Sequence, residues 1–125
     1  MKTDLVEIFQ TIRASLQPYA AKGFAVRNNT DSVYELWSEQ EVEIVGRKYD
    51  EVFFVSVCIL KNSVGFYFMP VYIEPELKKM LPPDLLKLLK GKSCFHVTKL
   101  SEELLNHIVN ALETGFTLYK QKGWV

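Results

Sequence analysis

Val52-Phe53-Phe54-Val55-Ser56-Val57-Cys58-Ile59-Leu60-Lys61-Asn62-Ser63-Val64-Gly65-Phe66-Tyr67-Phe68-Met69-Pro70-Val71 sets two apolar runs on either side of Lys61-Asn62-Ser63. The runs are rich in β-branched and aromatic residues, which fit a pleated surface, and Asn and Ser tolerate a tight reversal, so the stretch reads as a long β-hairpin. With Asn62-Ser63 as the two-residue turn, Lys61 faces Val64, and the pairs beyond are Leu60 with Gly65, Ile59 with Phe66, Cys58 with Tyr67, Val57 with Phe68 and Ser56 with Met69. Alternation then places Val55, Val57, Ile59, Phe66 and Phe68 on one side, and Ser56, Cys58, Tyr67 and Met69 on the other. A slip of one residue in the turn is expected to exchange the two sets. The first side is wholly apolar and is expected to face helices. The second is mixed, apolar bodies carrying a hydroxyl, a thiol, a phenol and a thioether, and suits a half-buried sheet face or a small-ligand pocket. Gly65 lacks a side chain where a strand carries one, which marks a bulge or a close approach.

The flanking chain supplies the partners for that hairpin. Leu5, Ile8, Phe9, Ile12 and Leu16 form one stripe of a helix from Thr3 to about Tyr19, with Thr3 as cap and Gly23 just past the end. Phe24 to Arg27 and Val33 to Ser38 read as strands around the turn formers Asn28-Asn29-Thr30-Asp31, and Glu41 to Val45 alternates as a third strand, with Gly46 to Asp50 as the turn that follows. After Pro70, which weakens any continued strand, Glu74 to Leu81 and Asp84 to Leu89 read as short helices split by Pro82-Pro83, the second closed by Gly91. Ser93 to Val97 is one more strand. Ser101 to about Lys122 is the strongest helix: Ser101 caps it, Glu102 and Glu103 fill its first turn, Leu100 is placed to staple against Leu105, and Leu105, Ile108, Leu112, Phe116 and Tyr119 form its buried stripe. The fold class is therefore α+β: a two-layer sandwich, an antiparallel sheet of about five to six strands against N-terminal and C-terminal helices.

A chain of 125 residues, 48% hydrophobic, is the size of one domain and buries a core without staples. Fifteen basic residues balance fifteen acidic ones, so no overall field favours nucleic acid or an anionic membrane. Charges in Met1 to Glu7 interrupt any signal-peptide core and no run approaches a membrane span, which points to a cytoplasmic protein. Two cysteines, Cys58 and Cys94, make no disulfide framework and are expected as thiols.

Three segments carry a resemblance: Val64-Gly65-Phe66-Tyr67-Phe68-Met69-Pro70-Val71-Tyr72, Lys90-Gly91-Lys92-Ser93-Cys94-Phe95-His96, and Gly115 with Tyr119-Lys120-Gln121-Lys122-Gly123-Trp124. From about Tyr34 onward the chain resembles the YdhG-like proteins, which are grouped with the frataxin-like (CyaY/YjbR-like) fold. That resemblance implies terminal helices packed on an antiparallel sheet. It also implies iron as a possible cargo, since frataxins donate iron to iron-sulfur and haem assembly, and some YdhG-like proteins are described as frataxin-like iron chaperones. YjbR-like relatives are linked to DNA binding, so the fold alone decides neither. Frataxins carry an acidic ridge along the first helix; here that helix offers only Asp4 and Glu7, beside Lys2 and Arg13.

The candidate sites follow from residue chemistry. Tyr34, Trp37, Ser56, Cys58, Tyr67 and Met69 are the candidates for a ligand pocket on the mixed sheet face, where Tyr49, Tyr72 and Trp124 add further amphipathic rings. Should that face be open, it is a pocket or a dimer interface; monomer and homodimer are both compatible with the sequence. Cys94 and His96 share a strand face and, with Cys58 and His107, form a possible transition-metal set, although buried Cys is a common core residue. A nucleophile pair is poorer, because same-face neighbours on a strand sit about 7 Å apart. Seven acids between Asp31 and Glu51, Glu41 and Glu43 among them, stand against Arg47 and Lys48, a local net of −5 that suits a hard cation or a solvated sheet edge. Lys78, Lys79, Lys87, Lys90, Lys92 and Lys99 give the segment Glu76 to Leu100 a net of +4, a patch for phosphate. Without Arg or stacked aromatics it lacks the clamps and platforms that nucleic acid needs, so nucleic acid is not the expected partner. Gly91-Lys92-Ser93 is not a phosphate loop, since Leu86 stands where that motif needs Gly. No catalytic constellation can be named, and the expectation is a small non-enzymatic binding protein, with iron delivery and phosphate or nucleic-acid binding as alternatives.

Overall fold

Leu5, Ile8, Phe9, Ile12 and Leu16 recur at helical spacing and form helix α1, Leu5–Leu16, with all but Leu5 fully buried. The computed structural model describes all 125 residues. Asp4, not Thr3, caps α1, its carboxylate accepting from the Glu7 N–H at 3.1 Å. The α-helix stops short of Tyr19 because Pro18 has no N–H to continue it; a 3-10 turn, Gln17–Lys22, runs on to Gly23, whose φ of 109° closes it.

Strands β1, Ala25–Arg27, and β2, Val33–Ser38, then pair as the expected hairpin. The third expected strand forms as β3, Val42–Ile44, but outside the main sheet. Its partner is β4, Arg47–Tyr49, within the segment read as a turn. Val45 and Gly46, with φ of 51° and 76°, make the two-residue turn between them, a reversal that needs left-handed backbone at both positions.

The central hairpin forms as β5, Val52–Ile59, and β6, Val64–Phe68. Its turn lies one residue earlier than Asn62-Ser63: the Leu60 N–H donates to the Ser63 carbonyl at 2.8 Å, leaving Lys61-Asn62 at the tip. Sliding a two-residue turn by one moves every pair by two, so Ile59 faces Val64, Val57 faces Phe66 and Ser56 faces Tyr67. The one-residue slip of the turn therefore does not exchange the two faces as expected, because it shifts the pairing by two and side-chain alternation has the same period.

Pro70 starts a helix instead of merely ending a strand: α2, Met69–Ile73, has it in the first turn, where the missing N–H costs nothing. A 3-10 turn, Pro75–Met80, and α3, Pro83–Leu86, replace the two longer helices expected there. Leu89–Lys90 is not helical but strand β7, which pairs with β8, Cys94–Val97. Helix α4, Glu102–Gln121, is capped by Ser101, whose hydroxyl accepts from the Leu104 N–H at 3.0 Å. Its buried stripe is Leu104, Ile108, Ala111, Leu112, Gly115 and Tyr119; Leu105 and Phe116 are only half-buried.

The main sheet has six antiparallel strands in the order β1-β2-β5-β6-β8-β7. Helices α1 and α4 lie on one face of it, and one continuous cluster fills the space between, with Val55, Val57, Val64, Phe66, Phe68, Phe95 and Val97 from the sheet. This is the α+β two-layer sandwich. No helix is long and apolar enough to cross a membrane.

Two glycine-linked positions give predictions. A Cβ on Gly115 would stand 2.8 Å from Phe68 Cζ and from Pro70 Cγ, and Phe68 is 1% exposed, so neither can yield. Gly115→Ala gains about 1 kcal/mol of helix preference but incurs an overpacking cost of about 1–3 kcal/mol. The expected result in chemical denaturation is a net loss of stability. Val45 is a β-branched residue in the left-handed region with a side chain 96% exposed, so its conformation has no packing return. Val45→Asn relieves about 1 kcal/mol and is expected to slow amide exchange across β3 and β4 roughly fivefold.

Candidate functional site

The face of the sheet opposite the helices carries no covering layer. On β2 alternation turns Tyr34, Leu36 and Ser38 toward the helices and leaves Val33, Glu35 and Trp37 on the open side. Tyr34 therefore does not belong to the pocket residues. It is 3% exposed in the core, where burial pushes its phenol pKa up and the nearby Arg13 opposes the shift. Trp37, Ser56, Cys58, Tyr67 and Met69 do come together, joined by Val33, Glu35 and Phe53, around a groove of about 490 Å3.

Phe53 reaches that groove through a bulge. Leu36 pairs with Val55 and Trp37 with Phe53, so Phe54 is an extra residue in β5. The extra residue lets Phe54 and Val55 both enter the core while Phe53 faces outward and sets its ring 5.3 Å from that of Trp37. The sequence signal was Val52-Phe53-Phe54-Val55, four consecutive apolar residues that no simple alternation accommodates.

On the other wall, Gly65 is explained by its neighbours. A Cβ there would lie 3.0 Å from Tyr67 Cε2, 3.0 Å from Leu60 Cδ1 and 3.4 Å from Cys58 Sγ, so the Tyr67 ring leans back over the bare backbone of its own strand. Cys58 pairs with Gly65, and Cys94 with Tyr67, so the phenol sits between the two thiols. The adjacent Cys94 side chain, and then burial, push the Tyr67 phenol up to about 12. Burial first, and the nearby Cys94 thiol second, push Cys58 up; burial pushes Cys94 up against the opposing effect of Tyr67. Both cysteines are free thiols held in the neutral form, which suits packing better than nucleophilic attack or soft-metal ligation.

Charge is arranged at the groove's margin. Arg27 lies opposite Glu35 in register, yet its guanidinium donates to Glu39 at 2.9 Å and to Glu51, and stacks 4.8 Å from the Trp37 ring centroid. Arg27 holds the Glu51 carboxyl below the usual carboxylate range. Glu35 is left to accept from Asn28 Nδ2 at 3.0 Å and from Trp37 Nε1 at 3.2 Å, both on Oε1.

The other candidates are dispersed. Glu41 and Glu43 are exposed on or beside β3, outside the main sheet, whereas Cys94 and His96 lie on β8; these four do not converge. The one group of three ligating side chains with donor atoms within 4.8 Å is Asp84, Glu103 and His107, which the sequence spacing did not suggest. There Asp84 grips His107 Nδ1 through both oxygens, at 2.7 and 2.9 Å. Most of the lysines separate: Lys78 and Lys79 lie on the 3-10 turn, where Lys79 pairs with Glu76 at 2.9 Å; Lys90 is on β7, and Lys92 sits 5.5 Å from the Tyr72 ring centroid, whereas Lys87, which follows α3, and Lys99 line one hollow together with the Asp84 carboxylate. Tyr49 and Tyr72 are exposed away from the groove, and Trp124 is buried against Tyr119. No family model, curated protein or solved structure matches this chain.

The tyrosines predict the alkaline limit of the fold. Tyr19, Tyr34, Tyr67 and Tyr119 all have raised pKa values, chiefly through burial except at Tyr67, where Cys94 leads. In the unfolded chain they ionise near pH 10, so the stabilisation from their neutral forms is complete below about 10 and is lost as pH rises through the folded values. Denaturation midpoints are expected to hold up to about pH 9 and to fall between about 10 and 12. Tyr67→Phe is expected to remove one late-ionising phenol from an ultraviolet titration.

Proposed function

We propose that this chain is a small cytoplasmic binding protein of the YdhG-like group, non-enzymatic, and that its ligand occupies the groove on the open sheet face. The observation that carries this reading is the groove itself: both long helices lie on the opposite face, and a concave surface of about 490 Å3 falls within the range of small-molecule sites, roughly 300–1,000 Å3. Its lining supports the same reading. Trp37, Phe53, Met69 and Val33 supply apolar area, while Glu35, Ser56 and Tyr67 supply a few convergent polar atoms. The frataxin-like arrangement implied by the resemblance agrees with terminal helices on an antiparallel sheet.

Iron delivery and phosphate binding draw less support. Glu39 and Glu51 are already engaged by Arg27, Glu41 and Glu43 stand apart from Cys94 and His96, and the hollow that Lys87 and Lys99 share also holds the Asp84 carboxylate, which opposes an anion. Fe(II) titrated anaerobically, or inorganic phosphate, is expected to leave the groove signals unmoved.

Two-dimensional NMR of the labelled protein tests the groove. A panel of small aromatic molecules is expected to shift the Trp37 indole N–H and the amides of β2, β5 and β6, leaving Trp124 unmoved. Phe53→Ala is expected to weaken the best binder about tenfold, the loss of about 1.4 kcal/mol of apolar contact. Shifts clustered elsewhere, or the same signals changing with protein concentration alone, would replace this reading with another site or with a dimer.

A further inference from the structure

The chemistry of the groove goes beyond a generic apolar site, and on the reading above it selects for charge. Of the eight side chains that line it, Glu35 alone carries a formal charge at neutral pH, and no Lys or Arg lines it. A cation, Arg27, sits directly across from Glu35 in the β1-β2 register, so a pairing between them is the simplest local solution. The chain does not adopt it. Arg27 turns instead to Glu39 and Glu51 and packs along the Trp37 ring, so the guanidinium is engaged outside the lining by two carboxylates whose combined charge exceeds its own.

Glu35 is meanwhile fixed in place without being neutralised. Asn28 Nδ2 and Trp37 Nε1 both donate to Oε1, and no protein donor reaches Oε2. Neutral donors orient a carboxylate but leave its charge available, and a carboxylate beside aromatic faces is the surroundings an organic cation prefers. Trp37 and Phe53 stand beside it with ring centroids 5.3 Å apart, and Tyr67 lies on the far wall. An anion meets the opposite situation, with Glu35 in the groove and Glu39 and Glu51 at its margin.

We propose that the groove binds a small organic cation, an amine or amidine on a flat apolar body, with the charged head on Glu35 Oε2 and the body between Trp37, Phe53 and Met69. Ser56 and Tyr67 then face the body of the ligand and can bond one polar substituent on it.

The test uses three probes of one shape titrated into the full-length protein: 2-phenylethylammonium, 2-phenylethanol and 3-phenylpropionate. The Trp37 indole N–H and the Asn28 side-chain amide, which share Glu35 Oε1, are the reporters. The amine is expected to bind about tenfold tighter than the alcohol, a difference of the size of one charged hydrogen bond, and the carboxylate weakest of the three. In Glu35→Gln, which keeps an acceptor for Asn28 and Trp37, the amine is expected to lose its roughly tenfold advantage over the alcohol. Equal binding of amine and alcohol to the unaltered protein, with Trp37 shifted by both, overturns the cation proposal and leaves the groove reading standing. Failure of all three probes to move Trp37 overturns both. The ranking on the unaltered protein decides the matter even should the Gln variant not fold.

Discussion

The contact on which both layers depend is the extra residue in β5. Phe54 lies in the core with its ring stacked on that of Phe24, centroids 4.3 Å apart and planes within 4°, and with Tyr119 at 5.0 Å. The Tyr119 hydroxyl donates to the Phe53 carbonyl at 2.7 Å, tying the last turns of α4 to the backbone of the bulge. That bond satisfies a carbonyl beside a break in the ladder, where an unpaired polar group would cost about 1–3 kcal/mol. Because the strand takes two residues where its partner takes one, Phe54 turns inward and Phe53 outward. The core gains an aromatic anchor and the groove gains a wall from the same irregularity.

The layers also depend on two places where side chains are absent. Gly115 lets α4 approach Phe68 and Pro70 at a distance that no other residue permits, and so seats that helix closely on its face of the sheet. Gly65 does the complementary thing on the far face, letting the Tyr67 ring lie against its own strand between Cys58 and Cys94. One glycine closes the apolar side and the other shapes the open side. The consequence is a sheet buried on one face only, whose exposed side must be either solvated or occupied. A side carrying Trp37, Phe53, Tyr67 and Met69 is poorly suited to solvation alone.

Much of this is legible in the residues. The stripes Ile8, Phe9, Ile12, Leu16 and Ile108, Leu112, Tyr119 announce helices, and the alternation of Val55, Val57, Phe66 and Phe68 against Ser56, Cys58 and Tyr67 separates the sheet faces even though the turn is misplaced by one residue. That error is harmless because a shift of two preserves parity. What the sequence conceals is where strands leave the sheet. Glu41 to Val45 alternates convincingly, yet Val45-Gly46 folds it back on Arg47–Tyr49, and only tertiary competition for a β5 edge already taken by β2 decides that. The same holds for Tyr34, whose face is set by its pairing with Val57, not by its amphipathic chemistry. Asp84 and His107 lie 23 residues apart and meet only because α3 packs on α4.

Charge follows a different logic from packing. With fifteen cations and fifteen anions the chain has no net field, so any electrostatic preference must come from which pairs form. Arg27 has three carboxylates within reach of its strand, Glu35 by register and Glu39 and Glu51 by the turn of the chain, and engages the latter two. A guanidinium shared by two exposed carboxylates gains little stability for the fold, since solvent and salt screen such pairs. Its effect is positional: with Arg27 occupied and stacked along Trp37, the carboxylate facing the aromatic wall is left with neutral donors and no cationic partner. The groove thus acquires a sign that composition does not reveal. It arises because a bulge places Phe53 beside Trp37 at the same point where the ion pairs turn away, so that shape and charge selectivity come from one segment of β2 and its partner strand.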